Sequence, residues 1–412
     1  MESFSFLRIP LLFKYILKEI SFPFIGTLFT FTGLLFLAKS LKLLEMVVSN
    51  EVSIGEILTI FALIIPQFLE IALPMALLLG LILAFGRLSG DSELVVMRAS
   101  GISLRQLVRP VFIFALLVTV ISLAVSVSIR PWANTQLGIT LFELAKRRLS
   151  SGLVSGVFNQ LGALTIYAEK VDEGGGKLSN VVISDRRGAD RQQLFLAKYG
   201  QIFSNETNRT LNLKLFDGMI QEGRGPELNV TYFDSNSVVI SESELLEDGS
   251  AKDGKKPVEM SMKELERDIS DFKGKFSDSG DLKLLTASTK LLVEWHRRFS
   301  LPMSCLAVGL IGMVLGIQPS RGGKSWGMAL NVTIGMLVIT FYYFALAFST
   351  AIGEQGVVPP WLIMWMPNLV FLVLAGFLYN RMESEQWLAV SQGILDWIEK
   401  TAKIVRNRFA KQ

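Results

Sequence analysis

ILTIFALIIPQFLEIALPMALLLGLILAFG, running from Ile57 to Gly86, is the stretch on which the fold turns. It has one carboxylate, Glu70, and no Lys or Arg. It also exceeds the about 20 apolar residues that cross ~30 Å of hydrocarbon. Pro66 and Pro74 each remove a backbone donor, which marks a kink or an interfacial first turn. The same composition recurs at residues 22–44, 106–129, 299–317, 326–349 and 359–380. The sequence therefore predicts an α-helical membrane protein with six transmembrane helices, three before residue 135 and three after 295. Across all 412 residues, 50% are hydrophobic and the mean hydropathy is +0.43, more than a soluble domain of this length hides in a core.

The intervening residues read differently. Leu164–Ala168, Val181–Ser184, Gln193–Ala197, Leu211–Phe216 and Asn229–Phe233 are short, β-rich and partly alternating. Turn residues such as Gly174–Gly176, Asp217-Gly218 and Gly223 separate them. That spacing fits an all-β sandwich or jelly roll. Residues 242–257 are charged and rich in Gly, Ser and Asp, the composition of a flexible insertion, and residues 265–276 fit a short helix. The expected organisation is residues 1–134 with three spans, 135–290 with the β domain, and 291–412 with three spans and a tail. At the start, residues 1–20 mix Phe and Leu with Arg8, Lys14, Lys18 and Glu19 and lack a small-residue cleavage site. They read as an interfacial helix leading into the first span.

Orientation is set by the short loops. Arg87, Arg98, Arg105 and Arg109 come after span two, Arg321 and Lys324 after span four, and the C-terminal tail is basic. The opposite loops carry Glu45, Glu51, Glu56 and Glu354 without Lys or Arg. By the positive-inside rule both termini are cytoplasmic and the β domain is external.

Several chemistries have little support. The net charge of +4 is too small and too scattered for a nucleic-acid partner. A single cysteine, Cys305, excludes an intramolecular disulfide and reads as a small buried residue. The single histidine, His296, lacks companions for a zinc site or a triad. Gly322-Gly-Lys-Ser325 lacks the earlier glycine of a P-loop, since Gln318 stands there, and reads as a basic turn. Nothing points to a metal, a directly bound cofactor or enzymatic activity.

Two constellations remain. In the loop after span two, Asp91 or Ser92 can cap a short helix, Glu93 suits its N-terminal end, Arg98 its last turn, and Gly101 the left-handed position beyond it. Spacing places Glu93 beside Met97 on one side, away from the valines. Either this is an ordinary connector, or it is a coupling helix that docks into a cytoplasmic motor. The second constellation is a set of cations expected at the outer mouth: Lys39 and Lys42 on one face of span one, Arg130 ending span three, and Arg297 with Arg298 opening span four. Snorkelling accounts for any one of them; together they suit a multiply anionic lipid head group. Glu70, inside span two, must face a cavity, pair with a cation or be protonated.

Ile65-Pro-Gln-Phe-Leu-Glu-Ile-Ala-Leu-Pro74, the Gly86–Ser103 stretch and Gln318-Pro-Ser-Arg-Gly-Gly323 resemble the permease subunits of the lipopolysaccharide-export ABC transporter, the LptF/LptG or YjgP/YjgQ family, and are closer to its LptF branch. The resemblance covers nearly the whole chain. It implies three-plus-three spans around a periplasmic jelly roll in the inner membrane. It also implies a paralogous permease partner in a heterodimer, a cytoplasmic ATPase dimer that uses the ATP, LptC/LptA-type periplasmic bridge proteins, and lipopolysaccharide as cargo. Glu93 matches the glutamate that contacts the ATPase, with Arg98 and Gly101 in the same motif. Lys39 and Lys42 lie where the LptG-type partner has basic residues facing phosphates. The insertion at 242–257 departs from the family pattern. The alternatives are a permease for another amphiphile, such as a lipoprotein or phospholipid, and a non-transporting envelope sensor or scaffold.

Overall fold

The computed structural model describes residues 11–48, 53–152, 155–161, 164–172, 177–186, 193–205, 210–222, 229–241, 255–279, 282–317 and 326–383. Its helices are α1 (Leu11–Val48), α2 (Ile54–Gly90), α3 (Glu93–Ala99), α4 (Leu104–Ala124), α5 (Arg130–Gly152), α6 (Met262–Ser279), α7 (Leu282–Gly316), α8 (Trp326–Gln355), α9 (Pro360–Ile363) and α10 (Met366–Glu383). Six helical stretches are long and apolar enough to cross a membrane: Leu11–Lys39, Ile54–Gly90, Leu104–Leu144, Leu284–Gly316, Met328–Gln355 and Pro360–Asn380. They overlap the six expected segments but several run further, because polar flanks continue the helical turn. Span three passes through Arg130 and span four begins well before Arg297. The chain forms two compact units: residues 1–40, 65–131 and 261–412, and residues 41–64 and 132–260.

In the first unit α2 and α7 are the interior helices, with 78% of their apolar windows buried against 17–33% for the other four. α2 stays helical through Pro66 and Pro74 and feeds both apolar cores of the unit. Leu73, Leu77, Leu81 and Phe85 face a cluster with Ile16, Ile20, Leu107 and Val111. Leu78, Leu79 and Ile82 face another with Leu301, Val308, Ile311 and Tyr342. α7 lies directly against α2 because its contact stripe has no side chains. A Cβ on Gly312 would stand 2.8 Å from the Leu78 carbonyl oxygen, and one on Gly316 would stand 2.6 Å from Phe85 Cβ. Gly312-x-x-x-Gly316 is thus a close-packing stripe of the kind apolar helices use where lipid gives no hydrophobic drive to associate. Across α7, α8 and α10, Tyr342 donates to Asn368 Oδ1 (2.9 Å) and Asn368 donates to the Ser300 carbonyl (2.6 Å). Cys305 is fully buried.

The second unit holds a six-stranded antiparallel sheet: β1 (Phe158–Leu161), β2 (Leu164–Val171), β3 (Lys177–Asp185), β4 (Gln193–Asn205), β5 (Thr210–Glu222) and β6 (Asn229–Ser241). Its strands pair in chain order, β1-β2-β3-β4-β5-β6. The all-β insert is therefore an up-and-down meander among the described residues, where a jelly roll would show Greek-key crossings. Short links between successive strands favour this local pairing.

β2 to β6 keep one register, yet ladder pairing is interrupted at a single row: Glu169, Asn180, Lys198, Asp217 and Asp234. Asn180 and Asp217 in that row have φ of +49° and +53°. A left-handed residue inside a strand slips the pleat by one position, so the inward set changes parity there. Along β5, Leu211, Leu213 and Leu215 face inward before the row and Ile220 after it; along β4, Phe195 and Ala197 are followed by Gly200. The row itself is exposed and polar, with Asn180 donating to Glu169 (2.5 Å) and Lys198 paired to Asp217 (2.6 Å). The paired Asp217 raises the Lys198 pKa through a hydrogen bond and its charge. This polar crease lets both halves of each strand turn apolar side chains to one core, joined by Phe142 of α5.

Space at the crease is tight. A Cβ on Gly218 would lie 2.2 Å from the Leu196 carbonyl oxygen and 2.7 Å from Phe233 Cζ. We expect Gly218→Ala to destabilise the sheet by ~1–3 kcal/mol, read as faster limited proteolysis within residues 158–241. Gly274→Ala, on α6 with no neighbour within 4 Å, should leave that proteolysis unchanged.

Candidate functional site

Three helices converge on a buried group of charges in the first unit. α2 supplies Glu70. A π-helical turn at Val125–Ile129 closes α4 and hands the chain to α5, bringing Ser126 and Arg130 to the same place. Such turns insert one residue into a helix and re-aim the side chains beyond it. α7 supplies Glu294, Arg297 and Arg298.

Ser126 Oγ donates to Glu70 Oε1 (2.7 Å), and Arg130 Nη1 lies 3.1 Å from both Glu70 Oε1 and Glu294 Oε1. Arg298 Nε donates to Glu294 Oε1 (3.2 Å) and Arg297 Nη1 to Glu294 Oε2 (3.3 Å). Arg297 Nη2 stands 3.8 Å from Glu70 Oε2. Glu70 and Arg298 are 0% exposed and Arg130 3%. Only Arg297 keeps a partly exposed side chain, at 22%. Glu70 Oε2, Arg130 Nε and Ser122 Oγ are buried without a hydrogen bond.

The structure thus gives Glu70 its partners, Arg130 and Arg297. It also draws Arg130, Arg297 and Arg298 into one cluster, within the continuous helical stretches Leu104–Leu144 and Leu284–Gly316, with Arg130 and Arg298 turned inward onto carboxylates. Three guanidiniums meet two carboxylates. Sequence reasoning missed Glu294 and Ser126. Glu294-x-x-Arg297-Arg298 carried the signal, since i,i+3 and i,i+4 spacing places a carboxylate beside both arginines. Lys39 lies elsewhere, exposed, donating to Gln67 Oε1 of α2 (3.1 Å). Lys42 is in α1, and its side chain lies outside the described residues, as do residues 242–254 and the Gly322–Ser325 turn. Among the described residues no group of three metal-ligating side chains forms.

The second feature is α3. Its C-terminal end is a Schellman cap: Gly101 takes φ +88°, Ile102 N–H donates to the Met97 carbonyl (3.1 Å), and Gly101 N–H to that of Arg98 (3.0 Å). Its N-cap is Ser92, at φ +61°, without a side-chain cap bond. The inward side is Leu94 with Met97, packed on the core of α1, α2 and α4. Val95 and Val96 point outward, 44% and 67% exposed, and Arg98 is exposed. Glu93 is half-buried, and its Oε2 accepts from the Tyr15 hydroxyl of α1 (2.6 Å). Beside it, Arg87 of α2 pairs with Glu19 of α1 (2.6 Å) and lies 4.0 Å from Asp91. Tyr15 escaped the sequence reading because nothing local links residues 78 apart.

Residues 14–381 match the family described as "Lipopolysaccharide export system permease LptF/LptG". The chain is similar to the lipopolysaccharide export system permease protein LptF of Escherichia coli K12, 22% identical over 371 residues that cover 89% of this chain and 93% of that protein. It is similar to an uncharacterised protein of Rickettsia prowazekii, 23% identical over 81% of this chain and 89% of that one. Over 90 residues it is 36% identical to the permease protein LptG of Haemophilus influenzae, covering 22% of this chain and 25% of that protein.

Removing one member of a buried charge group leaves the others uncompensated. Glu294→Ala should cost on the order of 3–5 kcal/mol, lowering the thermal midpoint of the detergent-solubilised protein. Removing Arg298 in the same variant, as Glu294→Ala with Arg298→Met, should recover part of that loss.

Proposed function

The chain belongs to the LptF/LptG family of lipopolysaccharide export system permeases, and from that premise we propose that it is one half of a heterodimeric ABC permease. It takes lipopolysaccharide from the outer leaflet of the inner membrane and passes it to a periplasmic bridge of the LptC/LptA type. Two copies of a separate cytoplasmic ATPase drive it, and the chain itself binds no nucleotide. Both termini are cytoplasmic and the β domain is periplasmic, as the distribution of Lys and Arg among the short loops supports.

The observation that carries the motor half of this reading is α3. It is a capped, seven-residue helix glued to the bundle by Leu94 and Met97, with Val95, Val96 and Arg98 turned outward. Exposed valines beside a half-buried carboxylate on a surface helix suit a docking element. Glu93 Oε1 makes no hydrogen bond among the described residues, so the carboxylate can take a cation from the ATPase while Oε2 holds Tyr15. ATP-driven closure of the motor pushes on α3 and narrows the cavity between the two permeases. Acyl chains then leave through the β domain, sheltered from water.

At the cargo end, Lys39, Lys42 and the rim residue Arg297 meet head-group phosphates, with Arg130 and Arg298 behind. A cluster of three cations against two anions keeps a unit of positive charge with which to attract one.

Glu93→Arg should abolish co-purification of the ATPase or lipopolysaccharide release in proteoliposomes; retention of both would refute the coupling role. Lys39→Ala with Lys42→Ala should weaken photocrosslinking to lipopolysaccharide several-fold, and unchanged crosslinking would leave the lysines as snorkelling residues.

A further inference from the structure

We propose that Tyr15 is a positioning residue for the coupling helix: its hydroxyl fastens Glu93 to α1, so that load taken up by α3 passes into α1 and along it to the lysine-bearing end. The inference rests on the reading that α3 receives the motor. It adds the route by which force leaves α3, and it recasts Glu93 as a two-sided relay.

The Tyr15–Glu93 bond is short, at 2.6 Å, and its acceptor is a carboxylate, the class of hydrogen bond roughly twice as strong as a neutral one. It is also one rung of a ladder. Moving along α1 and back from α3 along α2, Tyr15 meets Glu93, Glu19 meets Arg87 (2.6 Å), the Thr27 hydroxyl lies 3.1 Å from the Ala76 carbonyl oxygen and Lys39 donates to Gln67 (3.1 Å). Between them Gly80 lets the α1 backbone in, since a Cβ there would stand 2.7 Å from Phe24 Cα. From Glu19 to Lys39 the partners advance on α1 as they recede on α2 from Arg87 to Gln67, as two antiparallel helices in register must.

α1 is one helix from Leu11 to Val48, so Tyr15 and Lys39 lie on one element ~36 Å apart along its axis at about 1.5 Å per residue. A shift of α3 that is shared with Tyr15 therefore has a path to Lys39 along α1 itself. The lower rungs set the division of labour. Arg87–Glu19 fastens α1 to α2, whereas Tyr15–Glu93 is the side-chain hydrogen bond that fastens α1 to α3 among the described residues. Leu94 and Met97 seat α3 on the bundle through apolar contact, which resists lifting more than sliding; the directional bond from Tyr15 resists sliding.

The test uses the full complex in proteoliposomes, with wild type, Tyr15→Phe, Glu93→Ala and the double variant. Tyr15→Phe keeps the ring and removes only the donor. Expected are ATPase association and hydrolysis within about twofold of wild type, lipopolysaccharide released per ATP lower by about tenfold, and faster amide exchange over residues 93–99. Adding Tyr15→Phe to Glu93→Ala should change the release ratio by less than about twofold, because Glu93→Ala has already removed the acceptor of the one bond they share. Unchanged exchange in Tyr15→Phe would overturn the bond, and an unchanged release ratio would overturn its role in transmission. Independent, multiplying losses in the double variant would likewise overturn it. A wild-type complex with no ATPase subunit would instead remove the motor-docking reading of α3, and this one with it, before any variant is compared.

Discussion

A carboxylate cannot be left alone in the middle of an apolar helix that crosses a membrane, and much of the first unit answers that constraint. Glu70 sits among leucines and isoleucines on α2, where an unpaired charge would be costly. Its neutralisation recruits Arg130 from the third span and Arg297 from α7, and Arg130 in turn pairs with Glu294 of α7. The ion pairs therefore stitch the first group of spans to the second, across 60 and 164 residues of chain between Arg130 and its two partners. Apolar packing alone would not choose between neighbouring rotational settings of α7 on α2. A shared guanidinium does, because one Nη1 reaches both carboxylates in one arrangement only. The Gly312–Gly316 stripe then makes that arrangement sterically available by letting the backbones close.

The six spans and the five strand segments were legible in the sequence because each rests on local periodicity. The strand lengths were not, and the crease explains why. The expected segments stop at Ala168, Ala197, Phe216 and Phe233, and one starts at Val181; in every case the next position along is a member of the row Glu169, Asn180, Lys198, Asp217 and Asp234. Alternation changes parity at that row, so a reader tracking period two sees a strand end where the chain continues into its second half. Asp217-Gly218 even has turn chemistry, and it uses it: the positive φ is real, but it bends a strand in place of ending one. Strand order was likewise hidden, since hairpin and Greek-key connections share the same strand residues.

α3 shows the complementary limit. Gly101 in the left-handed region and the helix over Glu93–Ala99 come from local chemistry and were legible. Which face points where was only half so. Spacing put Glu93 and Met97 together, as the structure does, but it could not reveal that Val95 and Val96 are the outward residues, because burial depends on the core supplied by α1, α2 and α4. Tyr15 belongs to that same class of information. It becomes visible only when the antiparallel register of α1 and α2 carries residue 15 up to residue 93.

Under the proposed function, the buried charge cluster must leave the chain stable and still receptive to an anion. If the buried cluster were neutral it would have no pull on a phosphate; if its cations were unpaired, burying them would unfold the bundle. Three arginines against two glutamates lies between these limits. Arg130 and Arg298, fully enclosed, are held by the carboxylates and set the helices. Arg297 shares those carboxylates at longer range, 3.3 and 3.8 Å, and keeps part of its side chain exposed. An incoming phosphate competes most easily for the guanidinium that is least committed. Under the proposed function the inner pairs supply the rigidity, the rim residue supplies the affinity, and loss of a rim contact on helix movement releases cargo without dismantling the pairs beneath.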